Sequence, residues 1–248
     1  IERIDGRDGA QLRRRSGENR MDDLEFGKRN KRGDWEPDAP ITPAPVFIFP
    51  PRPLKFIAWL PDYFLPWNVF FMATAILAWN FLTPDPETLK TLQPGWILFI
   101  LLRNMAAVFL IFGALELRLY VKRAQGTLFK YNAKFPGDTK SNVFWFKSQN
   151  IDNFLRTFLF GLPIWTAYEV LILWTSANGI GPWTSFAQNP AWLSIFWLLI
   201  PVIHEFHFYL VHRLIHIPVL YRLVHSVHHN SANPTPWSSL SMHPVEHL

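Results

Sequence analysis

The 248-residue sequence contains no cysteine. Without thiols the chain cannot form a disulfide framework, a thiolate zinc site, an iron–sulfur cluster or a cysteine nucleophile. Any metal bound by its own side chains must therefore have nitrogen and oxygen ligands.

Charged residues are also scarce, at 17% of the sequence, against roughly 25% in typical soluble domains. Twenty of the 43 charged residues lie before position 39, so the following 210 positions hold only 23. Aromatic residues make up 16% of the chain. This composition indicates that most of the chain lies in a lipid bilayer.

The net charge of +5 does not indicate a nucleic-acid partner. The basic residues form no stripe interleaved with aromatic residues, and the ten basic residues before position 39 are balanced by ten acidic ones. We therefore expect no nucleic-acid binding.

Residues 1–53 are predicted to form a disordered tail rich in charge and proline. Positions 1–38 have too few apolar residues to offset the entropy of ordering. Seven prolines between positions 37 and 53 favour extended backbone. The sequence begins with Ile1 rather than Met, so we expect it to be part of a longer protein, incomplete at its C-terminus as well.

Residues 54–248 are predicted to form an all-α integral membrane domain with about four transmembrane helices. Each predicted span is long and apolar enough to cross a hydrocarbon core of about 30 Å, at about 1.5 Å per residue. A proline at position 201 predicts a kink in the last span. The predicted spans are 63–84, 95–115, 157–176 and 189–203.

The loops predict the orientation of these spans. Seven Lys or Arg residues lie in the loop 116–152, whereas the loop 177–189 has no charge. The positive-inside rule then places the amino terminus and the loop 116–152 in the cytoplasm. Four spans would return the chain to the cytoplasmic side at about residue 205.

Arg103 lies near the middle of the second predicted span. An arginine at this depth either extends toward the headgroups or faces the protein interior with an acidic or carbonyl partner. The sequence leaves both alternatives open.

All nine histidines lie in the last 45 residues. Neutral imidazoles gain little from packing together and repel one another when protonated, whereas a metal ion makes their proximity favourable. His212 and His216 are four residues apart, so on a helix both rings lie on one face. Together with a second group, they predict a site that binds two metal ions, held mainly by histidine. The second group is His225, His228 and His229.

Neither histidine pair matches the zinc protease pattern H-E-x-x-H. His204 is followed by Glu205, but the fifth position is Phe208, and His212 is followed by Arg213. Iron, zinc and copper all remain compatible with imidazole ligands.

The region resembles the fatty acid hydroxylase and sterol desaturase superfamily of membrane histidine-box di-iron enzymes. The segments 212–216 and 225–229 match its H-x3-H and H-x2-H-H boxes, and the segments 234–237 and 242–246 resemble its sterol desaturase branch. A further histidine box of the family has no counterpart here. The resemblance covers roughly residues 200–248.

The resemblance implies an enzyme that uses O2 to hydroxylate or desaturate a sterol or fatty acyl lipid taken from the bilayer. It implies two non-haem iron ions, a cytochrome b5-type electron donor, and a location in the endoplasmic reticulum with the histidines facing the cytosol. No catalytic residue is expected beyond the metal ligands. The expected ligands are His212, His216, His225, His228 and His229.

Two alternatives stay open at this point. The first is a non-catalytic or inactive metal-binding membrane protein of the same fold, and the second is a histidine-lined metal transporter. The sequence also leaves open whether His204, His207, His243 or His247 binds metal, and which lipid is the substrate.

Overall fold

The structure is a computed structural model that describes residues 26–40, 42–128, 130–138, 140–181 and 184–248. The described chain is mostly helical, which confirms the predicted all-α class. It divides into two compact units. One contains the described residues up to Thr42 together with Gln125–Ala133, and the other contains Pro43–Ala124 and Lys134–Leu248.

The first unit contains a short antiparallel hairpin of strands β1 (Gly27–Arg29) and β2 (Trp35–Pro37). The Arg29 guanidinium donates hydrogen bonds of 2.7–3.1 Å to four backbone carbonyls, those of Gly33, Thr127, Lys130 and Tyr131. Part of the predicted tail thus forms a hairpin in the structure. Three of the four acceptors lie about 100 residues further along the chain, where local composition gives no signal. Residues 1–25 of the predicted tail lie outside the described residues.

The second unit is built from helices of very different length. Three π-helical turns continue or join them: Leu117–Val121 extends α4, Thr157–Gly161 joins α5 to α6, and Tyr221–His225 joins α8 to α9. The helices are α1 (Pro53–Phe64), α2 (Trp67–Phe81), α3 (Pro86–Leu89), α4 (Pro94–Glu116), α5 (Gln149–Arg156), α6 (Leu162–Ala177), α7 (Pro190–Ile215), α8 (Pro218–Leu220) and α9 (Ser226–His229).

Two continuous helices, Pro94–Val121 and Gln149–Ala177, are long and apolar enough to cross a membrane. The α1–α2 pair, bent by 54°, and α7, bent by 43° between Trp197 and Val202, bring the number to four if each bent pair is one span. The bend in α7 falls at the position of Pro201, where the sequence predicts a kink. A helical membrane protein is confirmed.

The boundaries of the first span differ from the predicted 63–84. The helical region begins at Pro53 and is interrupted between Phe64 and Trp67. Leu65 is extended (φ −102°, ψ 141°), since a residue before proline avoids the helical region and Pro66 has no N–H to donate. Similarly, α7 continues 12 residues beyond the predicted end at Ile203. Hydropathy indicates the apolar part of a helix, and the helix itself continues into the more polar residues that follow.

The two continuous helices pack against each other through a small apolar core. Ile100 is fully buried, and Trp96 and Leu173 are nearly so. Arg103 lies in the same interface, paired with the Glu169 carboxylate and donating to the Leu82 carbonyl at 3.0 Å. Arg103 therefore faces the protein interior and has both of the partner types that the sequence left open.

The segment after the last helix is anchored on these helices by Trp237. Its indole is 7% exposed and contacts the rings of Phe109, Phe154 and Phe158 at centroid distances of 5.2–6.3 Å. The Thr157 hydroxyl donates to the Trp237 carbonyl at 3.0 Å. These contacts fix the 3-10 turn Pro236–Leu240 and so position the following turn, Pro244–His247.

Candidate metal centre

The first histidine pair lies at the carboxyl end of α7. His212 is in its last turn and His216 is its C-cap, so the four-residue spacing places both rings on one face. Their Nε2 atoms are 3.1 Å apart. The predicted approach of these two rings is therefore present in the structure.

The second histidine group lies on the π-turn Tyr221–His225 and on α9. His225 and His229 are again four residues apart, and their Nε2 atoms are separated by 2.9 Å. His225 is 2% exposed, whereas His229 lies at the surface. The chain reverses between the two groups through Ile217 and the short helix α8, which begins at Pro218.

The two pairs meet. The ring of His225 lies 4.9 Å from that of His212 and 4.7 Å from that of His216, and the rings of His216 and His229 are 5.3 Å apart. One nitrogen from each of His212, His216 and His225 lies within 4.8 Å of the other two. These three histidines could hold a metal ion.

The nitrogen spacing fits metal coordination. With bonds of about 2.0–2.1 Å to imidazole nitrogen, two ligands of one ion are about 2.9 Å apart at an octahedral edge and about 3.3 Å apart in a tetrahedron. The separations of 3.1 Å and 2.9 Å within the two pairs lie in or at the edge of this range. Imidazole nitrogens at such distances could act as ligands of a first-row transition metal.

Glu246 orients the most buried of these rings. Its Oε2 accepts a hydrogen bond of 2.7 Å from His225 Nδ1, and the two side chains are 3% and 2% exposed. An ionised carboxylate can only accept, so the proton resides on Nδ1 and the Nε2 lone pair points to the cluster. Buried carboxylates often hold metal-bound histidines in this way.

Sequence reasoning missed Glu246 as a site residue. The available signal was its position three residues after His243. This is the spacing of a capping box, although His243 is not the Ser or Thr that defines the sequence pattern. In the structure, Glu246 Oε1 accepts from the backbone N–H of His243 at 3.3 Å. The same carboxylate thus caps the Pro244–His247 turn and holds His225.

His228 lies beside the cluster but not in the group of three. Its ring is parallel to that of His225 within 23°, at a centroid distance of 5.8 Å. Its Nδ1 is buried and makes no hydrogen bond with the residues that the structure describes. Buried nitrogens of this kind normally have a hydrogen-bond partner or a ligand. The described residues provide no partner for His228 Nδ1, and the assignment of His228 as a metal ligand stays a prediction.

The remaining histidines lie in three different surroundings. His204 and His207 are exposed on α7, and the ring of Phe208 stands between those of His204 and His212. His243 is the N-cap of the turn Pro244–His247. His247 is 8% exposed, and its ring lies 6.4 Å from that of Trp165.

Desolvation and the neighbouring imidazoles favour the neutral form of His229. Desolvation lowers the pKa of this imidazole below its usual 6.5, and the neighbouring His225 and His228 lower it further. A lowered pKa keeps the ring neutral down to a lower pH, and only the neutral ring binds a metal.

A groove of about 460 Å³ leads to the first histidine pair. Within it, Arg213 lies close to the Tyr209 hydroxyl, at 3.4 Å. The groove is lined by Glu205, Phe208, Tyr209, His212, Arg213 and His216. It combines aromatic surface with the rings of His212 and His216.

Residues 197–248 match the family model described as fatty acid hydroxylase. The match contains both histidine groups and Glu246. The resemblance to the fatty acid hydroxylase and sterol desaturase superfamily is thereby confirmed for this part of the chain.

Curated relatives of two kinds match the chain. A Delta(7)-sterol 5(6)-desaturase of Gibberella zeae is 41% identical over 56 residues, which cover 23% of this chain and 17% of the relative. The fatty acid hydroxylase ahd1 of Mycosarcoma maydis is 30% identical over 91 residues, covering 36% and 24%. A fatty acid hydroxylase domain-containing protein 2 of Macaca fascicularis is 37% identical over 57 residues, covering 23% and 17%.

The chain thus spans about a fifth of the length of the curated relatives it matches. No solved structure matches it.

Proposed function

We propose that this chain carries the histidine-rich part of a membrane-bound non-haem di-iron oxidoreductase that uses O2 to hydroxylate or desaturate a lipid. The observation that carries the proposal is the meeting of the imidazoles of His212, His216, His225 and His229. The printed names of the relatives, sterol desaturases and fatty acid hydroxylases, support the lipid chemistry.

The proposed ligands are the five histidines of the two motifs, and His225 is aligned by Glu246. Iron bound there would supply the redox chemistry needed to oxidise an unactivated C–H bond. The protein's own part is to present neutral imidazoles and to receive an apolar chain along the groove beside Phe208 and Tyr209. The two ions are proposed from the family resemblance, with further ligands beyond the five histidines.

The electron donor is proposed, from the family resemblance, to be a cytochrome b5-type protein. The proposed location is the endoplasmic reticulum membrane with the cluster on the cytosolic side. Lys and Arg residues in the loop 116–152 support that orientation.

The test is iron content and lipid turnover of the full-length protein in membranes, compared between wild type and His225→Ala. The matched control is His207→Ala, which removes an exposed imidazole from α7. We expect His225→Ala to lose bound iron and O2-dependent formation of hydroxylated or desaturated lipid, whereas His207→Ala keeps both.

Full turnover in His225→Ala would refute the proposed site. Wild-type protein that binds metal but modifies no sterol, fatty acyl or sphingoid lipid would instead identify the alternative, a non-catalytic metal-binding membrane protein.

A further inference from the structure

A second polar cluster lies inside the membrane-spanning pair, away from the histidine motifs in sequence. It consists of Arg103 and Asn104 on α4 with Thr166 and Glu169 on α6. Asn104 Nδ2 donates to Glu169 Oε2 at 2.8 Å and to Thr166 Oγ1 at 3.1 Å, and the Arg103 guanidinium pairs with Glu169 Oε1. The cluster is internally bonded and carries no net charge.

The cluster lies deep along both helices. Asn104 is ten residues from the start of the span Pro94–Val121, and Glu169 is eight residues from the end of Gln149–Ala177. At about 1.5 Å per residue these positions are about 15 Å and 12 Å from the helix ends. Both are inside the hydrocarbon region if the helices span a bilayer of about 30 Å.

Glu169 is the more exposed partner of the ion pair. The Arg103 side chain is 11% exposed, whereas that of Glu169 is 34% exposed. Each carboxylate oxygen accepts one hydrogen bond from the cluster, and a carboxylate oxygen has room for a second. In a bilayer, a carboxylate with unfilled acceptor positions is unfavourable next to lipid tails, and a hydrogen-bond donor on that side would stabilise it.

A groove of about 540 Å³ opens at this point between α4 and α6. A groove of this size accommodates a small ligand or part of a lipid. Its lining combines the polar side chains of Asn104, Tyr168 and Glu169 with apolar surface from Val108, Leu162, Trp165 and Ile172. The Tyr168 hydroxyl donates to the Leu248 carbonyl at 2.9 Å.

We propose that this groove binds a neutral, hydroxyl-bearing membrane lipid, whose hydroxyl donates to the Glu169 carboxylate while its apolar body lies along Trp165 and Ile172. A cationic headgroup is disfavoured because Arg103 already neutralises Glu169. An ester or hydrocarbon chain is disfavoured because it offers no donor hydrogen. None of the proposed iron ligands lines the groove, and the proposal does not rest on the proposed function.

The experiment uses the full-length protein in phosphatidylcholine vesicles and a diazirine-bearing hexadecanol as the photoreactive probe. The matched probe is its O-methyl ether, which has the same apolar body and no donor hydrogen. Labelling of the peptide that contains residues 162–177 is quantified by mass spectrometry. Because one hydrogen bond changes affinity by about threefold to tenfold, we expect the alcohol to label this peptide about threefold to tenfold more than the ether.

Two variants locate the binding. Ile172→Trp fills the groove, while Leu171→Trp adds the same ring at a neighbouring residue that is not among the groove-lining residues; the two positions are 52% and 53% exposed. We expect alcohol labelling to fall to the level of the ether in Ile172→Trp and to persist in Leu171→Trp. Both variants should keep the wild-type unfolding temperature in detergent, which shows that they are folded.

Equal labelling by alcohol and ether would overturn the proposal, because it would identify lipid that merely surrounds the helices. Equal labelling in the two tryptophan variants would also overturn it. Neither result would affect the proposed iron site, which is read from metal content.

Discussion

His225 Nδ1 and Glu246 Oε2 are 2.7 Å apart, and both side chains are almost completely buried. The pair joins the second histidine motif to the 3-10 turn Pro244–His247. The orientation of the His225 ring is thus set by a residue 21 positions further along the chain.

Removal of this carboxylate should weaken metal binding while leaving the ligands in place. We expect Glu246→Ala to lower metal affinity about 10- to 100-fold, the usual effect of deleting a carboxylate that orients a histidine ligand. Glu246→Gln retains one oxygen acceptor for Nδ1–H and should lie between Ala and wild type. Metal competition titrations measure both values, and wild-type affinity in Glu246→Ala would show that the hydrogen bond does not orient His225.

Trp237 should matter for stability and for the position of Glu246. Deleting an indole that is 7% exposed costs about 3–5 kcal/mol, so Trp237→Ala should unfold at clearly lower temperature in detergent. Trp192→Ala is the control, because Trp192 is 57% exposed. If the two variants lost the same stability, the aromatic cluster around Trp237 would not anchor the carboxyl-terminal segment.

Much of the candidate centre could be predicted from the histidine spacing. Four-residue spacing brings His212 to His216 and His225 to His229 because helical and near-helical turns repeat at this interval. The meeting of the two pairs depends on the reversal through α8, which the spacing does not specify. Glu246 was missed because its role depends on this tertiary contact with His225.

The membrane helices were also predicted only in part. Hydropathy located all four apolar regions, but the break at Pro66 and the long extension of α7 were not predicted. An interior-facing Arg103 would require an acidic or carbonyl partner, yet only the packing of α4 on α6 could identify Glu169. The acceptors of the Arg29 hydrogen bonds that order the hairpin are likewise carbonyls of distant residues.

The Arg103–Glu169 pair should behave as a coupled unit. Removing one partner leaves an unpaired charge in the membrane interior, which costs about 3–5 kcal/mol at fully buried sites. We expect a smaller loss here, because Glu169 is partly exposed. In a double-mutant cycle measured by unfolding in denaturing detergent, Arg103→Leu with Glu169→Leu should be more stable than the sum of the single losses predicts, by about 0.5–3 kcal/mol. Additive losses would contradict the pairing.

His247 should make the metal-free protein acid-sensitive. Burial lowers the pKa of this imidazole from 6.5, while Glu246 and the Leu240 carbonyl act in the opposite direction. Because the folded pKa lies below the unfolded one, the unfolded chain binds the proton more readily, and stability falls as the pH drops below 6.5 through the lowered pKa. His247→Gln should reduce the difference in unfolding temperature between pH 7.5 and pH 5.5. An unchanged difference would show that His247 does not contribute.

Imidazoles from the two histidine motifs are expected to bind the same metal centre. X-ray absorption at the iron edge of the iron-loaded full-length protein measures the ligands directly. We expect imidazole nitrogens at about 2.0–2.2 Å, with a reduced imidazole contribution in His216→Ala and likewise in His225→Ala, one variant from each motif. Iron without imidazole scattering, or a spectrum that neither variant changes, would contradict the claim.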